Sequence, residues 1–154
     1  MTVPAAAGLR SIRGTVHQTP TADRLEVLDD HVITIDEAGI IDSVVPASRH
    51  EGPVDRTLDR DQVLVPGMID THVHAPQWPQ LGTGLDLPLE RWLFESTFPL
   101  EARFADPVFA QRVWDRMVPA LLAHGTTTAA YFGSTHEIAT TALAETCVRH
   151  GQRA

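Results

Sequence analysis

The feature that most restricts the fold is an alternation, after residue 65, of short apolar β-type runs with amphipathic helical patterns. Residues 68–73 form an apolar run that is preceded by Gly67 and followed by a stretch rich in proline and glycine. These bounds predict a buried strand. Residues 126–132 predict a second buried strand. Strands separated by helices indicate parallel β/α units, and hence an α/β fold.

Helix signals flank the second predicted strand. Asp106–Pro107 is a typical helix start, and an apolar stripe runs from it to a helix end at His124. Pro119 lies inside this stripe and should kink the helix because it removes a backbone hydrogen bond. Ser134–Glu137 matches a capping box, which predicts a helix that ends at His150.

Other segments complete the pattern. Residues 75–86 are predicted to be irregular, and a helix is predicted to begin near Asp86 and to reach about Thr97. Residues 152–154 should start another strand. Only two β/α units are present, whereas a closed eight-unit barrel takes about 250 residues. If the chain is part of such a barrel, we expect that barrel to be incomplete here.

The segment before residue 66 has a different character. It contains β-branched or alternating runs separated by turn residues, and no long amphipathic helix. Strands are predicted at residues 12–16, 24–28, 32–35 and 40–45, with a turn at 36–39. We therefore expect a β-rich segment over residues 1–65 and a β/α segment over residues 66–154.

Composition excludes some functions. The formal net charge of −8 disfavours a nucleic-acid partner, because an acidic surface repels phosphate backbones. No apolar run approaches the roughly 18 residues of a membrane span, and the N-terminus lacks a signal-peptide pattern. The single cysteine, Cys147, fits a reducing compartment. We expect a cytoplasmic protein that does not associate with membranes.

The chemistry is carried by His72 and His74, at the end of the first predicted parallel strand. Side chains two apart on a strand point to the same face, so two imidazoles can approach one cation. Imidazole suits zinc, iron or nickel better than magnesium or calcium. Catalytic zinc usually has three protein ligands, so a further ligand must come from elsewhere. A His-x-His pair also occurs by chance, but this one lies where β/α barrels place their active sites.

The other histidines favour simpler interpretations. His124 and His150 each precede a glycine at a predicted helix end, where a cation is favoured by the helix dipole. The leader histidines (His17, His31 and His50) are expected at the surface. His136 follows the second strand, and we favour an ordinary first-turn residue over a pocket-lining one.

Residues near the pair could serve a substrate. Gln77 offers both a donor and an acceptor, which suits the edge of a purine, although a solvated loop residue is the alternative. Trp78 could stack on a base or fill the core of its loop. Asp70 is expected to orient a ligand or cap the loop rather than bind metal. The acidic side chains Glu90, Glu95 and Glu101 are expected to be solvated or paired with Arg91 and Arg103.

Two sets of motifs resemble a known family. Residues 66–74, PGMIDTHVH, resemble the first-strand signature of the amidohydrolase superfamily, which includes dihydroorotases, cytosine deaminases and chlorohydrolases. The later motifs are similar to guanine deaminases: residues 74–77 (HAPQ), 86–93 (DLPLERWL), 97–99 (TFP) with 101 and 103–104, 125–128 (GTTT), and 131–132 (YF).

This resemblance implies a fold, a reaction and roles for residues. The fold would be a (β/α)8 barrel with a small β-sandwich built from both chain termini, and the reaction would convert guanine and water to xanthine and ammonia. His72 and His74 match the first two zinc ligands, and Gln77 matches a residue that contacts the purine. The remaining His and Asp ligands, the proton-shuttling Glu and an Arg-Phe pair would lie downstream. No catalytic acid or base is therefore expected within these residues, and the full-length protein would be a homodimer.

Three alternatives stay open. Another amidohydrolase could act on a pterin, cytosine or triazine ring at the same pair of histidines. The metal could be iron or another divalent ion rather than zinc. The chain could also be an inactive truncated fragment, or a remnant that contributes only an oligomer interface.

Overall fold

The computed structural model describes residues 9–154, which divide into two compact units between Pro66 and Gly67. The described part of the first unit is a five-stranded sheet with one short 3₁₀ helix at Ala47–Arg49. Its strands are β1 (Ser11–Thr21), β2 (Arg24–Ile35), β3 (Ile41–Pro46), β4 (Arg56–Thr57) and β5 (Val63–Leu64). The order is β3-β2-β1-β4, and β5 also pairs with β1.

The sequence predicted two strands where the structure has the single strand β2. The acidic pair Asp29–Asp30 interrupts the apolar pattern, but the ladder with β1 continues across it through a register shift. Asp30 takes a positive φ of 49° at this point, and its carboxylate accepts two hydrogen bonds from the Arg13 guanidinium. A bulge therefore absorbs the interruption without ending the strand. The predicted turn is confirmed, with Gly39 at φ 81°.

The second unit alternates strands and helices. Its elements are β6 (Met68–His74), a 3₁₀ helix at Ala75–Gln80, α1 (Leu89–Trp92), a π-helical turn at Leu93–Thr97, α2 (Phe98–Ala102), a 3₁₀ turn at Arg103–Ala105, α3 (Pro107–Ala123), β7 (Thr126–Phe132) and α4 (Glu137–His150). β6 and β7 pair in parallel, as the alternation predicted. Arg153 forms a parallel bridge with Thr128, which continues the pairing beyond β7 where the sequence predicted another strand.

Several local predictions need correction. Residues 75–80 are a 3₁₀ helix rather than irregular chain, and the helix predicted to end near Thr97 continues through a π-helical turn to Ala102. The capping box at Ser134–Glu137 does not form. His136 is the N-cap residue of α4 and gives it no side-chain cap. The Ser134 hydroxyl instead accepts a hydrogen bond from the His136 backbone N–H, which draws the loop into a local turn.

The prediction of two buried strands was wrong for this chain. Met68 and Ile69 of β6 are 60% and 70% exposed, and Ala129 is the buried position of β7. The physical reason is that a parallel strand is buried only when helices and neighbouring strands cover both faces. Within the described residues, that cover is incomplete over β6.

The core of the second unit lies where α3 packs against α4. The fully buried Trp114 stacks on Phe104 with 4.8 Å between ring centroids, and its indole N–H donates to the Ala139 carbonyl. Asp106 caps α3 by accepting from the Val108 N–H, as predicted, and Gly125 follows the helix end with a φ of 92°. This packing holds β6 and β7 on a helical layer.

The leader histidines are half-buried rather than fully at the surface, and the Nε2 atom of His50 is buried without a partner in the described residues. No helix within residues 9–154 is both long enough and apolar enough to cross a membrane.

Candidate metal centre

The two histidines at the end of β6 converge on one point. The Nε2 atoms of His72 and His74 lie 2.9 Å apart, with 4.9 Å between the ring centroids. Because the residues are two apart on a strand, both side chains leave the same face of β6. The structure therefore brings the predicted pair together as a pair of nitrogen donors.

These nitrogens lie slightly closer together than two ligands of one zinc ion. Two nitrogens at about 2.0–2.1 Å from a tetrahedral zinc ion lie about 3.3–3.4 Å apart, so a small rotation of one imidazole would admit the ion. The observed 2.9 Å suits an N–H···N hydrogen bond between the two imidazoles. An ion and that proton would use the same lone pairs, so metal binding and the hydrogen bond exclude each other. The two imidazoles are therefore suited to serve as two of the ligands of a metal centre.

The sequence did not predict Phe132 as a site residue, although its ring lies against both imidazoles. Its ring centroid is 4.6 Å from that of His72 and 4.8 Å from that of His74, and the His74 ring stacks on it with only 12° between the planes. The parallel register places Phe132 beside His74. Its place at the end of the second strand was visible in the sequence, but the register that aligns the two strand ends was not.

A register shift in β6 helps to aim the pair. Asp70 pairs with Ala129 and Val73 pairs with Tyr131, so β6 has one more residue than β7 across this interval. An extra residue bends the strand and re-aims nearby side chains. In the same interval the Asp70 carboxylate accepts a hydrogen bond from the His72 backbone N–H at 3.0 Å. Asp70 thus holds the backbone of one candidate ligand.

The predicted substrate residues line the same open cavity as the histidines. This cavity is about 240 Å³ in volume and includes Asp70, Gln77, Trp78 and, from the helical layer, Leu121. Trp78 is half-buried and packs against the helical core, while its remaining surface faces the cavity. The packing agrees with the core-filling interpretation of Trp78, and stacking on a base stays a prediction.

Gln77 has a partner that the sequence did not predict. Its amide Nε2 donates to the Glu101 carboxylate at 3.3 Å. The expected pairing of Glu101 with Arg103 does not form, because Arg103 instead lies over the Phe109 ring at 4.0 Å. The pairing of Glu95 with Arg91 is confirmed at 2.7 Å. An ionised carboxylate can only accept hydrogen bonds. Glu101 therefore fixes the Gln77 amide with its nitrogen toward the carboxylate, which leaves the amide oxygen available to another partner.

The pair has no third protein ligand within residues 9–154, where His, Cys, Asp and Glu side chains form no cluster of three or more that could hold a metal ion. Other histidines take structural positions, as expected. The His124 ring bonds to the Ala120 carbonyl at the end of α3, and His150 ends α4.

Parallel β/α units with two imidazoles at the end of the first strand define a metal-hydrolase type of site, and the comparison with protein families agrees. The chain belongs to the amidohydrolase family, whose model matches residues 63–154.

Comparison with individual relatives indicates a narrower group within this family. The chain is 41% identical over 152 residues to the guanine deaminase of Mus musculus, which covers 92% of this chain and 33% of that protein. Among solved structures it resembles a guanine deaminase from C. acetobutylicum with guanine bound in the active site, at a TM-score of 0.81 and 32% identity over 94% of this chain and 35% of the other. It also resembles an adenosine deaminase from Xanthomonas campestris with bound zinc, at a TM-score of 0.68 and 26% identity over 87% of this chain and 31% of the other. The chain spans about a third of the length of the curated relatives that it matches.

Proposed function

We propose that the complete protein carrying this chain is a zinc-dependent guanine deaminase, which hydrolyses guanine to xanthine and ammonia. The observation that carries the proposal is the convergence of the His72 and His74 Nε2 atoms at 2.9 Å, in a cavity that also contains Gln77. The identity to guanine deaminases over most of the chain supports guanine as the substrate.

His72 and His74 would hold the zinc ion, and the ring of Phe132 would keep both imidazoles in place. A zinc ion held there would supply an activated water at neutral pH, because it would lower the pKa of that water to about 7. Two neutral imidazoles leave the charge of the ion uncompensated, so an anionic third ligand from the rest of the protein would suit the site. Trp78 and Leu121 would exclude bulk water from one side of the cavity.

Gln77 would orient the base. Since Glu101 takes the amide N–H on one side, the Oε1 atom of Gln77 and its second N–H face away from that carboxylate. A guanine edge carries N–H donors beside ring acceptors, so a carbonyl oxygen next to an N–H donor matches it. Hydrogen bonds of this kind discriminate well, because an analogue without the matching group leaves a polar atom unpaired.

The structural part of the proposal is a (β/α)8 barrel whose first two units are β6 with the helices after it and β7 with α4. The parallel bridge from Arg153 to Thr128 supports it, because it continues the sheet in the expected direction. In this proposal residues 1–65 contribute to a composite β-sandwich and residues 66–154 begin the barrel. A cytoplasmic location and a homodimer stay predictions; light scattering on the complete protein tests the second.

The test is a substrate panel on the complete protein, in which guanine, cytosine, a pterin and an amino-triazine are compared by kcat/KM. We expect guanine to be the best substrate. The variant His72→Ala should lose tight zinc binding and turnover, while His150→Ala, at a helix end, should retain both. A different preferred ring would refute the substrate, and zinc retained at a near-normal rate in His72→Ala would refute the site.

A further inference from the structure

A second cavity in the unit Gly67–Ala154 is bordered by three arginines. It has a volume of about 300 Å³, and its walls include Arg103, Arg112 and Arg116 together with the aromatic side chains Trp78 and Phe109. We call this feature the arginine cleft. It lies apart from the histidine pair, although Trp78 forms part of the wall of both cavities.

The charges of the arginine cleft are not neutralised by ion pairs among residues 9–154. The ion pairs formed by the described arginines use Arg13, Arg24, Arg91 and Arg149. Three uncompensated cations around one cavity stand out on a chain whose net charge is −8. Like charges that are held close together repel, and an anion between them would relieve that repulsion.

Packing helps to hold the guanidinium groups around the cavity. Arg112 and Arg116 are four residues apart on α3, so their side chains leave the same face of the helix. Arg103 lies over the Phe109 ring at 4.0 Å, a contact that restrains its guanidinium plane. The buried Val113 gives the cavity an apolar patch beside the two helical arginines.

One carboxylate lies nearby, at an adjoining cavity of about 190 Å³ that Asp106 shares with Arg103 and Arg112. Its Oδ1 atom accepts from the Val108 N–H at the start of α3, and it makes no ion pair with either arginine. Asp106 keeps its negative charge while it caps the helix, but the three arginines outnumber this one carboxylate, so the arginine cleft stays positive.

We propose that the arginine cleft binds a nucleoside monophosphate, with the phosphate between the guanidinium groups and the base against the aromatic wall. Guanidinium groups bind phosphate through paired, charge-assisted hydrogen bonds, which suits a tetrahedral anion with several acceptor oxygens. The indole of Trp78 offers apolar surface for a planar base, while the Phe109 ring carries the guanidinium of Arg103. A free inorganic phosphate would bind the guanidinium groups and leave the aromatic wall without a contact.

The test is calorimetric titration of the complete protein with AMP, adenosine and inorganic phosphate. AMP carries a base other than that of the proposed substrate, so the result does not depend on the deaminase proposal. We expect saturable AMP binding that weakens as sodium chloride is raised, with adenosine and phosphate each weaker by about tenfold or more. Equal affinity for AMP and adenosine would overturn the phosphate contact, and equal affinity for AMP and phosphate would overturn the aromatic one.

The variant Arg112→Gln/Arg116→Gln should lower AMP affinity by about tenfold or more, because it removes two exposed charge-assisted partners. The matched control Arg153→Gln removes an exposed arginine outside the cleft and should bind AMP as the unchanged chain does. Thermal unfolding followed by circular dichroism checks that both variants fold. Arg103→Lys keeps the charge but loses the planar fork, so it should bind AMP with intermediate affinity. Absence of saturable AMP binding, or equal binding by the double variant, would overturn the proposal.

Discussion

The imidazole of His74 is stacked on the ring of Phe132, with 4.8 Å between centroids and 12° between planes. The two residues come from neighbouring parallel strands and face each other in register. Phe132 also contacts the ring of His72, so one aromatic side chain supports both candidate metal ligands. The geometry of the pair therefore depends on β7 as well as on β6.

Phe132→Ala should weaken zinc binding by the complete protein. Groups that orient metal ligands typically contribute about 10- to 100-fold to metal affinity, and Phe132 acts on two ligands. Competition with a chromophoric chelator measures the affinity. Phe94→Ala, at another exposed phenylalanine, is the matched control and should leave the affinity unchanged. Equal affinities for the two variants would show that the stacking has no role.

Glu101→Gln should raise the KM for guanine several-fold and change kcat less. The carboxylate fixes the orientation of the Gln77 amide, whereas a glutamine can donate as well as accept and no longer fixes it. The hydrogen bond between the Gln77 amide and guanine joins two neutral groups. Such a bond contributes about 0.5–1.5 kcal/mol to binding, which corresponds to a roughly twofold to tenfold change in KM. Steady-state kinetics provide the measurement, with Glu95→Gln, from an exposed ion pair, as control. Indistinguishable kinetics for the two variants would contradict a positioning role for Glu101.

Asp55→Asn should destabilise the first unit at neutral pH but not in acid. Hydrogen bonds from the Arg10 backbone N–H, and then from Ser11, hold the pKa of the Asp55 carboxyl below its usual value. A lowered folded-state pKa gives stability that is present above the unfolded pKa, about 3.9, and is lost as the pH falls through the folded value. Urea unfolding at several pH values from 3 to 7 measures the difference. Asp61→Asn, in an exposed turn, should show no such pH dependence, and a constant deficit for Asp55→Asn would exclude the carboxylate as its source.

Cys147 should react slowly with thiol reagents in the folded chain. Burial raises the pKa of its thiol, so little thiolate is present at pH 8, and the side chain is only 1% exposed. Labelling with a disulfide reagent, followed by absorbance, should proceed slowly until urea unfolds the chain. Rapid stoichiometric labelling without urea would mean that α4 does not hold this cysteine in the core.

Gly67→Ala should disturb the pairing of β6 with β7. A Cβ at this position would collide with the side chain of Thr127. We expect a loss of about 1–3 kcal/mol in the free energy of unfolding, measured with urea. Thr127→Ala removes the colliding atoms beyond Cβ, so the double variant should lose less than the sum of the single changes. If the two changes are strictly additive in the free energy of unfolding, Gly67→Ala does not act through a collision with Thr127.

The local patterns predicted much of the fold. The N-cap at Asp106, the span of α3 and the end of α4 at Gly151 follow from capping residues and helical periodicity, which act within a few residues. Two predictions failed for different reasons. The exposure of Ile69 depends on distant elements that would cover the strand. The capping box failed for a local reason, because the Ser134 hydroxyl accepts from the His136 backbone N–H within a turn.

By itself, the sequence determined the alternation of two strands with the two long helices α3 and α4 after residue 65, and it placed two imidazoles on one face of a strand end. Only the tertiary structure decided that their Nε2 atoms meet at 2.9 Å, that Phe132 supports them and that Glu101 fixes the amide of Gln77. The reason is physical. Strand and helix periodicity are set by neighbours along the chain, whereas the contacts of a site depend on strand register and on side chains that folding brings from distant positions.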